Sequence, residues 1–366
     1  MKRNSYLSYL KNVIFKKNDL VALTYFVTNR CNLSCEHCFQ WRKLNQVNNE
    51  LSLEEIKKIT KGIGKLLSLF ISGGEPFLRE DFAEIIKLFY SNCGIKNINI
   101  PTNGTLKDKI LRDAEAILSA CPKLAVNISI SIDNIGDKHD QIRGQKMVFD
   151  KAIATYLELK KLKSRYHNLH VELNTTLSAS NQNDIESIYN YVKNILQPDS
   201  YGIVPVRGNI RQEKIKDIDI TIYEKIINRL NSDYLKQNMR GFSNFSFSKY
   251  VLSLRLIASG IVSKIIKKNA YQLPCYAARL SGVLYSNGDI FPCELLDKPI
   301  GNIREYGYDL RKAWNARKIK DIRKFIQQSK CFCIHPCNLT INILFSLRFL
   351  PKIICYGLIM SSRDKK

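Results

Sequence analysis

The stretch Cys31-Asn32-Leu33-Ser34-Cys35-Glu36-His37-Cys38 follows the apolar run Val21-Ala22-Leu23-Thr24-Tyr25-Phe26-Val27, so it lies where a buried strand opens into a loop. Three thiols with three and then two residues between them can close around one inorganic centre. A zinc site usually has a fourth protein ligand nearby, and only three cysteines are within reach here. Three thiolates can instead hold three irons of a 4Fe–4S cluster and leave the fourth iron open to another molecule.

The same spacing also permits a purely structural interpretation. Positions 31, 35 and 38 are related as i, i+4 and i+7, so the cysteines could be small buried side chains on one stripe of a helix. A second motif decides between the two. Ser72-Gly73-Gly74-Glu75-Pro76 closes the next predicted strand. Its glycines let the backbone approach a bound molecule, and its carboxylate could accept hydrogen bonds from an ammonium group.

Together the two motifs resemble those of the radical S-adenosylmethionine (radical SAM) superfamily. The Cys-x3-Cys-x2-Cys pattern has His37 at the aromatic-type position before its last cysteine. The second motif looks like the Gly-Gly-Glu-Pro segment with which that family holds the amino group of S-adenosylmethionine, although Gly-Gly is also common in plain strand-to-helix turns. The resemblance implies that the cluster ligands are Cys31, Cys35 and Cys38. It also implies that the cofactor is bound by Gly73, Gly74, Glu75 and Pro76.

The composition indicates a globular protein of about two domains. The chain has 366 residues, of which 45% are hydrophobic and 25% charged, and this excludes a disordered chain. Met1-Lys2-Arg3 is followed by a mixed segment without the apolar core of a signal peptide. Eight of the eleven cysteines fall into two groups with spacings suited to metal, Cys93 and Cys121 lie outside them as structural residues, and Cys355 is isolated. We therefore expect a reducing, cytoplasmic location.

The net charge is strongly positive. Fifty-seven Lys and Arg against 33 Asp and Glu give +24, spread along the chain. Such a surface favours polyanions, whether nucleic acid, anionic lipid headgroups, an acidic peptide or a phosphorylated substrate. It is equally compatible with a solvated basic surface that has no dedicated anionic partner.

Short apolar runs alternate with helical periodicity from residue 21 to about 206, the pattern of β-α units and a parallel sheet. The predicted strands are Leu23–Thr28, Leu67–Ser72, Ile98–Thr102, Ala125–Ser131, His170–Thr176 and Tyr201–Val206. The predicted helices are 52–65, opened by a Ser52–Glu55 capping box, 81–92 with Gly94 as C-cap, 107–120, 148–165 and 183–196. Six such units match the α/β fold that the resemblance implies, a partial (β/α)6 TIM-like barrel followed by a small cysteine-rich C-terminal extension.

Polar residues follow the later predicted strands, at the barrel end where such folds carry their chemistry. They are Asn103, Ser131, Asp133, Asn174, Thr176 and Arg207. By resemblance, Ser131 and Asp133 contact the cofactor ribose, and the last three could reach its adenosine or methionine carboxylate. Ordinary polar residues at strand ends are the alternative interpretation.

A second cysteine group lies near the C-terminus and consists of Cys275, Cys293, Cys331, Cys333 and Cys337. The order Cys-x12-Gly-x4-Cys, with a hairpin around Ser286-Asn287-Gly288 and a late compact group, resembles the SPASM or shorter twitch extension of radical SAM enzymes that modify peptides and proteins. The full SPASM pattern has seven cysteines for two clusters. Five cysteines predict one auxiliary 4Fe–4S cluster, with its four ligands undetermined. A zinc site using His335 is the alternative.

We predict five segments: a lead-in (1–20), the radical SAM core (21–210), a helical connection (211–270), the auxiliary-cluster region (271–340) and an apolar and basic tail (341–366). Helices are expected at 218–237 and 250–268. The second is basic and amphipathic, with Arg255 among its polar positions and an apolar face of Leu252, Leu256, Ile257, Ile261 and Ile265. We expect it to pack on the barrel, and contact with an acidic partner or a membrane surface is the alternative. The apolar tail 339–360 is interrupted by Arg348, Pro351 and Lys352. It therefore predicts docking helices rather than a transmembrane span, and leaves shallow peripheral membrane contact open.

The resemblance implies an enzyme that reductively cleaves S-adenosylmethionine to a 5′-deoxyadenosyl radical and takes hydrogen from a substrate. The extension favours a peptide or protein, with a small molecule, glycan or lipid-linked substrate still open. A flavodoxin- or ferredoxin-like protein would supply the electron. The alternative from another class is a non-catalytic basic iron–sulfur or zinc protein that binds nucleic acid. The Gly-Gly-Glu-Pro segment argues against it, because a passive binder needs no cofactor cradle.

Overall fold

Six parallel strands form the centre of the fold, as the alternation predicts. The structure, a computed structural model, describes residues 18–239 and 248–362. The strands of the central sheet lie within two residues of their predicted bounds: β1 (Ala22–Phe26), β2 (Ser68–Ser72), β3 (Asn97–Thr102), β4 (Ala125–Ser131), β5 (Leu169–Leu177) and β6 (Ser200–Pro205). Each pairs in parallel with its neighbour in sequence. The mixed α/β class is therefore confirmed.

Helices connect these strands, and the predicted caps are present. Ser52 and Glu55 form the capping box, and Gly94 ends its helix in the left-handed conformation at φ 62°. The helices are α1 (Leu53–Ile63), α2 (Phe82–Leu88), α3 (Lys107–Ala120), α4 (Asp137–Arg143), α5 (Val148–Leu162), α6 (Ile185–Tyr191), α7 (Ile220–Leu235), α8 (Ser248–Lys268), α9 (Leu310–Asn315), α10 (Arg317–Gln328), α11 (Pro336–Leu344) and α12 (Leu350–Ser362). Helices α2 and α6 each continue into one wider turn, at Phe89–Cys93 and Val192–Leu196.

Helix α4 is absent from the predicted elements. It has only seven residues, too few for a hydrophobic period to stand out, and it is bounded by two glycines at positive φ, Gly136 at 58° and Gly144 at 74°. This short helix places Arg143 beneath the first cysteine loop.

The C-terminal extension continues the central sheet. Strand β7 (Ser281–Leu284) runs parallel to β1 with Ala22 opposite Ser281, and β8 (Asp289–Phe291) and β9 (Gly301–Asn302) follow as antiparallel neighbours. The strand order is β6-β5-β4-β3-β2-β1-β7-β8-β9. The predicted hairpin is confirmed as β7–β8. Because β7 adjoins β1, the strand that leads into the first cysteine loop, the sheet fixes the two cysteine regions relative to each other.

Helix α8 packs against the barrel, and the tail helices pack on α8. The predicted apolar face of α8 is buried. It consists of Leu252, Leu256, Ile257, Ile261 and Ile265. Arg255, which periodicity assigns to the polar positions, instead lines an interior cavity and pairs with Glu172 of β5, with 2.6 Å between Nη1 and Oε1. Among the described residues no single helix is long and apolar enough to cross a membrane. One pair of segments, Pro336–Leu344 and Leu347–Met360, is long and apolar enough when taken together, but the two are bent by 84° relative to each other.

Candidate functional site

One cavity of about 830 Å³ runs through the barrel interior and joins the two cysteine regions. Its lining at one end includes Cys31, Cys35 and Cys38, together with the Gly73-Gly74-Glu75 segment. The C-terminal region contributes Glu294 and Cys337 to the same wall. A molecule held in this cavity could therefore meet the three cysteines of the first group and, from the second group, Cys337.

The glycines of the second motif are required by close packing against the first cysteine loop. A Cβ on Gly73, which has φ +137°, would lie 2.5 Å from the carbonyl oxygen of Thr28. One on Gly74 would lie 2.1 Å from the carbonyl oxygen of Arg30 and 2.9 Å from Cβ of Cys31. The amide of Gly74 donates to Thr28 O at 3.0 Å. The two motifs thus form one backbone unit, and substitution of either glycine would displace Cys31.

Glu75 is buried, with 1% of its surface exposed, and is held by neighbouring donors. Its oxygens accept hydrogen bonds from Thr102 Oγ1 at 2.8 Å and from the backbone amide of Asn103 at 2.8 Å. Burial raises the pKa of Glu75 to about 7, although these hydrogen bonds oppose the shift. A cationic ligand such as an ammonium group would stabilise the ionised form of this buried carboxyl group.

Asp133 lies outside the cavity lining, beneath the first cysteine loop, and its side chain is fully buried. Arg143 Nη2 lies 2.6 Å from Asp133 Oδ2, and Asp133 Oδ1 accepts from the amide of Thr176 at 2.8 Å. Burial is the largest single influence and opposes ionisation of Asp133, but Arg143, the two nearby histidines and the Thr176 amide together outweigh it, and the pKa is lowered. Both carboxylate oxygens are thus engaged by protein groups, and the ribose contact that the resemblance implies stays a prediction.

Arg143 connects this carboxylate to the thiols. Its Nη1 lies 3.8 Å from Cys35 Sγ. His37 Nε2 lies 3.6 Å from Asp133 Oδ2, and burial lowers the pKa of His37 to about 4, so this imidazole is neutral. Arg143 was not among the sequence candidates, because it lies in the short helix α4, over 100 residues from Cys35 in sequence.

The other strand-end candidates line the cavity: Asn103, Ser131, Asn174, Thr176 and Arg207. Asn103 Nδ2 donates to Asn32 Oδ1 in the first cysteine loop at 2.9 Å. Arg207 extends over the ring of Phe39, with 5.4 Å from Cζ to the centroid, and its Nε is buried without a hydrogen-bond partner among the described residues. An unpartnered buried donor in a cavity wall is suited to a carboxylate.

A polar layer crosses the barrel deeper in the cavity. Asn127 Nδ2 donates to Asn99 Oδ1 at 2.6 Å and to Glu172 Oε2 at 2.7 Å, and Glu172 pairs with Arg255. These residues were not predicted as site residues. The two-residue strand period that places Ser131 and Asn174 on the cavity side also places Asn127 and Glu172 there, so this signal was present in the sequence.

The second cysteine group gathers at the β7–β8 hairpin and the start of α11. The thiols of Cys275 and Cys331 are in hydrogen-bonding contact, and electrostatic interactions also link these thiols to Cys293 and Cys333. Cys337 lies apart on the cavity side, where Glu294 and Arg207 are its principal charged neighbours. Four thiols therefore form one group with Cys337 beside it.

His335 is engaged elsewhere and is not a spare metal ligand. Its Nε2 lies 2.7 Å from Glu294 Oε2, and its Nδ1 accepts from the amide of Asn338 at 3.5 Å. Both partners of the ion pair are buried. Within the described residues, no three His, Cys, Asp or Glu side chains converge as the ligands of one metal ion, and this holds for both cysteine groups. A zinc ion at the second group would therefore have to be held by cysteines, without His335.

The residues present fit iron–sulfur clusters and a cationic cofactor. Burial raises the pKa of Cys31 to about 12 and also raises the pKa values of Cys35 and Cys38. A cationic iron centre is the kind of group that holds such buried thiols as thiolates. The backbone unit of Gly73 and Gly74, the carboxylate of Glu75 and the free Nε of Arg207 then provide complementary contacts for an amino acid moiety.

Comparison with protein families gives two matches. Residues 25–192 match the radical SAM superfamily, and residues 275–338 match the SPASM iron–sulfur cluster-binding domain. The matched ranges contain the two cysteine groups.

Relatives and solved structures agree with these domains. Fe-coproporphyrin III synthase of Methanosarcina barkeri is 30% identical over 183 residues, which are 49% of this chain and 42% of that protein. The AdoMet-dependent heme synthase of the same organism is 26% identical over 312 residues, 82% of this chain and 84% of that protein. The structure of anSMEcpe with bound AdoMet and the Cp18Cys peptide has a TM-score of 0.58 at 18% identity, covering 92% of this chain and 98% of that one. This last likeness concerns the fold alone.

Proposed function

Because this chain belongs to the radical SAM superfamily and carries a C-terminal SPASM iron–sulfur cluster-binding domain, we propose that it reductively cleaves S-adenosylmethionine and takes hydrogen from a peptide or protein substrate. The observation that carries the proposal is the cavity lined by Cys31, Cys35 and Cys38 of the first cysteine group and by Cys337 of the second. A cofactor bound at the first group and a substrate bound between it and Cys337 would share one enclosed space.

The first cysteine loop would hold a 4Fe–4S cluster through Cys31, Cys35 and Cys38. When bound, this cluster and S-adenosylmethionine supply one electron to the sulfonium and a 5′-deoxyadenosyl radical able to take hydrogen from a C–H bond. The electron comes from an external reductant of flavodoxin or ferredoxin type. The chain's own residues then have to bind, orient and exclude solvent.

Named residues divide these tasks. Glu75 would accept hydrogen bonds from the cofactor ammonium group, and Arg207 would bind a carboxylate through its unpartnered Nε. Asn103 ties the third strand to the cysteine loop through Asn32. Arg143, held by Asp133, would keep positive charge beside Cys35. Ser131 and Asn174, which also line the cavity, would contact the adenosine.

The second cysteine group would hold one auxiliary cluster, with Cys275, Cys293, Cys331 and Cys333 as its ligands. These four are the thiols that interact with one another. A cluster there could accept the electron that remains on the substrate after hydrogen removal. Cys337, on the cavity side, would then contact the substrate or stay a free thiol.

A peptide or protein substrate is supported by the fold. The anSMEcpe structure, similar in fold over most of both chains, holds a peptide together with AdoMet. A second candidate is a carboxylate-bearing macrocycle. It is favoured by the heme synthase, which is similar over 82% of this chain, and by Arg207 in the cavity wall, whose buried Nε has no hydrogen-bond partner among the described residues.

The test uses anaerobically reconstituted, chemically reduced full-length protein with S-adenosylmethionine. One arm adds synthetic peptides encoded by short reading frames beside the gene, together with generic cysteine- and serine-containing peptides. The other arm adds iron coproporphyrin III. We expect a peptide to accelerate 5′-deoxyadenosine release and to lose hydrogen, as seen by mass spectrometry. Modification of the porphyrin with all peptides unchanged would replace the proposal with the second candidate.

A further inference from the structure

Helix α12 carries an exposed apolar stripe that no described part of the chain covers. Five large apolar side chains in the tail are well exposed: Leu347 (64%), Leu350 (38%), Ile354 (46%), Leu358 (58%) and Ile359 (38%). They make up five of the twelve exposed large apolar side chains among the described residues. Leu350, Ile354 and Leu358 are spaced four residues apart, so they form one row along the helix.

Other positions of the same tail are already packed against the protein. Phe349, just before the helix, and Ile353 and Met360 within it are buried. Gly357 allows close approach to α8, because a Cβ there would lie 2.7 Å from Tyr250 Cε1. The exposed row therefore faces away from the protein, and the packing that fixes the helix does not depend on it.

The charge around the row is positive. Arg348 and Lys352 flank it one turn apart, with their cationic groups 5.1 Å and 5.4 Å from the ring centroids of Phe349 and Tyr356. From Pro336 to Lys366 the sequence has five basic residues and one acidic residue, Asp364, within a chain of net charge +24. An apolar row bordered by cations is the composition of a helix that lies in a membrane interface with anionic headgroups.

We propose that α12 is a membrane-surface helix, which seats the protein on an anionic lipid bilayer through the row Leu350, Ile354 and Leu358. The apolar row enters the boundary between headgroups and acyl chains, while Arg348 and Lys352 meet the phosphates. The bilayer is favoured over a second copy of the chain, because two copies joined through this row would bring like-charged tails together.

The test is flotation of the full-length, reconstituted protein with two kinds of vesicle. One is pure phosphatidylcholine, and the other contains phosphatidylglycerol. The wild type should float with the anionic vesicles, and less so as salt rises. The variant Ile354→Glu/Leu358→Glu should lose this binding by about 100-fold or more, because two carboxylates enter the interface.

The matched control is Leu157→Glu/Ile195→Glu. It adds the same two charges at apolar side chains that are equally exposed, 46% and 67%, but lie on other helices. It should keep most of the binding. Arg348→Gln/Lys352→Gln changes only exposed positions and should weaken binding by about 30-fold, at roughly 1 kcal/mol per cation. Release of 5′-deoxyadenosine should be unchanged in all three variants, which separates this proposal from the catalytic one.

Three results would overturn the proposal. The first is wild type that stays unbound to anionic vesicles. The second is equal loss of binding in the tail variant and in the control, which would assign binding to net charge alone. The third is a dimer in light scattering that the tail variant abolishes while vesicle binding is unchanged, which would assign the row to a second copy.

Discussion

The two cysteine groups differ in how they meet the cavity, which all three thiols of the first group line but only Cys337 of the second, and they also have different surroundings. The first lies on a loop between strand ends, with a buried ion pair, Asp133–Arg143, reaching a thiol at 3.8 Å. The second lies on a hairpin and a helix start, where the thiols contact one another and the nearby ion pair, His335–Glu294, is complete in itself. At the first group the arginine of the ion pair is directed at a thiol, whereas beside the second group the ion pair is closed on itself.

The largest expected effect separates the two sites by function. Cys333→Ala should remove auxiliary iron, from about eight to about four per chain if each site holds a cubic cluster. Substrate turnover should fall more than about 100-fold, while 5′-deoxyadenosine is still released. Iron analysis and product assay measure both. Cys121→Ala, at a buried cysteine remote from both groups, is the control and should change neither quantity. Simultaneous loss of 5′-deoxyadenosine release would show that the two sites do not work independently.

The next effect concerns Glu75, the buried carboxyl group beside the first cysteine group. Its pKa of about 7 means that the carboxylate needed for the ammonium group forms as pH rises. Affinity for S-adenosylmethionine should therefore increase from about pH 6 to about pH 8. Glu75→Gln should bind about tenfold more weakly at the upper pH and lose the pH dependence, because a neutral amide replaces the carboxylate. Calorimetric titration at both pH values measures this. An unchanged pH profile in the variant would exclude Glu75 as the contact.

The raised pKa of Glu75 also determines how the stability of the fold changes with pH. Its pKa in the folded chain is above the ordinary value of 4.5, so the folded state binds its proton more tightly than the unfolded state. This carboxyl therefore lowers the free energy of unfolding as pH rises from about 4.5 to about 7. Bound cofactor should reverse part of that loss.

A smaller effect tests Arg143. Positive charge beside Cys35 favours the reduced cluster, so Arg143→Gln should shift the cluster potential negative by on the order of 50 mV, about one tenfold step for one electron. Asp133→Asn/Arg143→Gln removes both charges of the pair. Its cluster potential should lie much closer to that of the wild type, because no unpaired buried carboxylate remains. Spectroscopic redox titration measures the difference. Equal shifts in the single and double variants would assign the effect to loop displacement rather than charge.

The sequence predicted the parts of the fold that have strong local signals. The six core strands and the capping box at Ser52 have such signals, in apolar runs and in cap residues. It did not predict that β7 would pair with β1, because a parallel contact between strands over 250 residues apart leaves no local pattern. The inward direction of Arg255 was missed for a related reason. A charged residue on a helix is assigned to solvent unless its buried partner, here Glu172, is known.

The candidate site also contains residues with a local sequence signal and residues without one. The cysteines and the Gly-Gly-Glu-Pro segment are local motifs, and the structure brings them into one backbone unit. Asp133 was singled out for its place at the end of β4, but its direction depends on Arg143, whose helix is too short to detect by periodicity. Positioning residues of this kind are visible only when tertiary contacts are known.

The most direct measurement is 5′-deoxyadenosine release by reduced, anaerobically reconstituted protein supplied with S-adenosylmethionine, in wild type and in Cys35→Ala. The account predicts release by the wild type and a fall of more than about 100-fold in the variant, because the cluster loses one of its three protein ligands. No release by iron-loaded wild type, or undiminished release by Cys35→Ala, would contradict it.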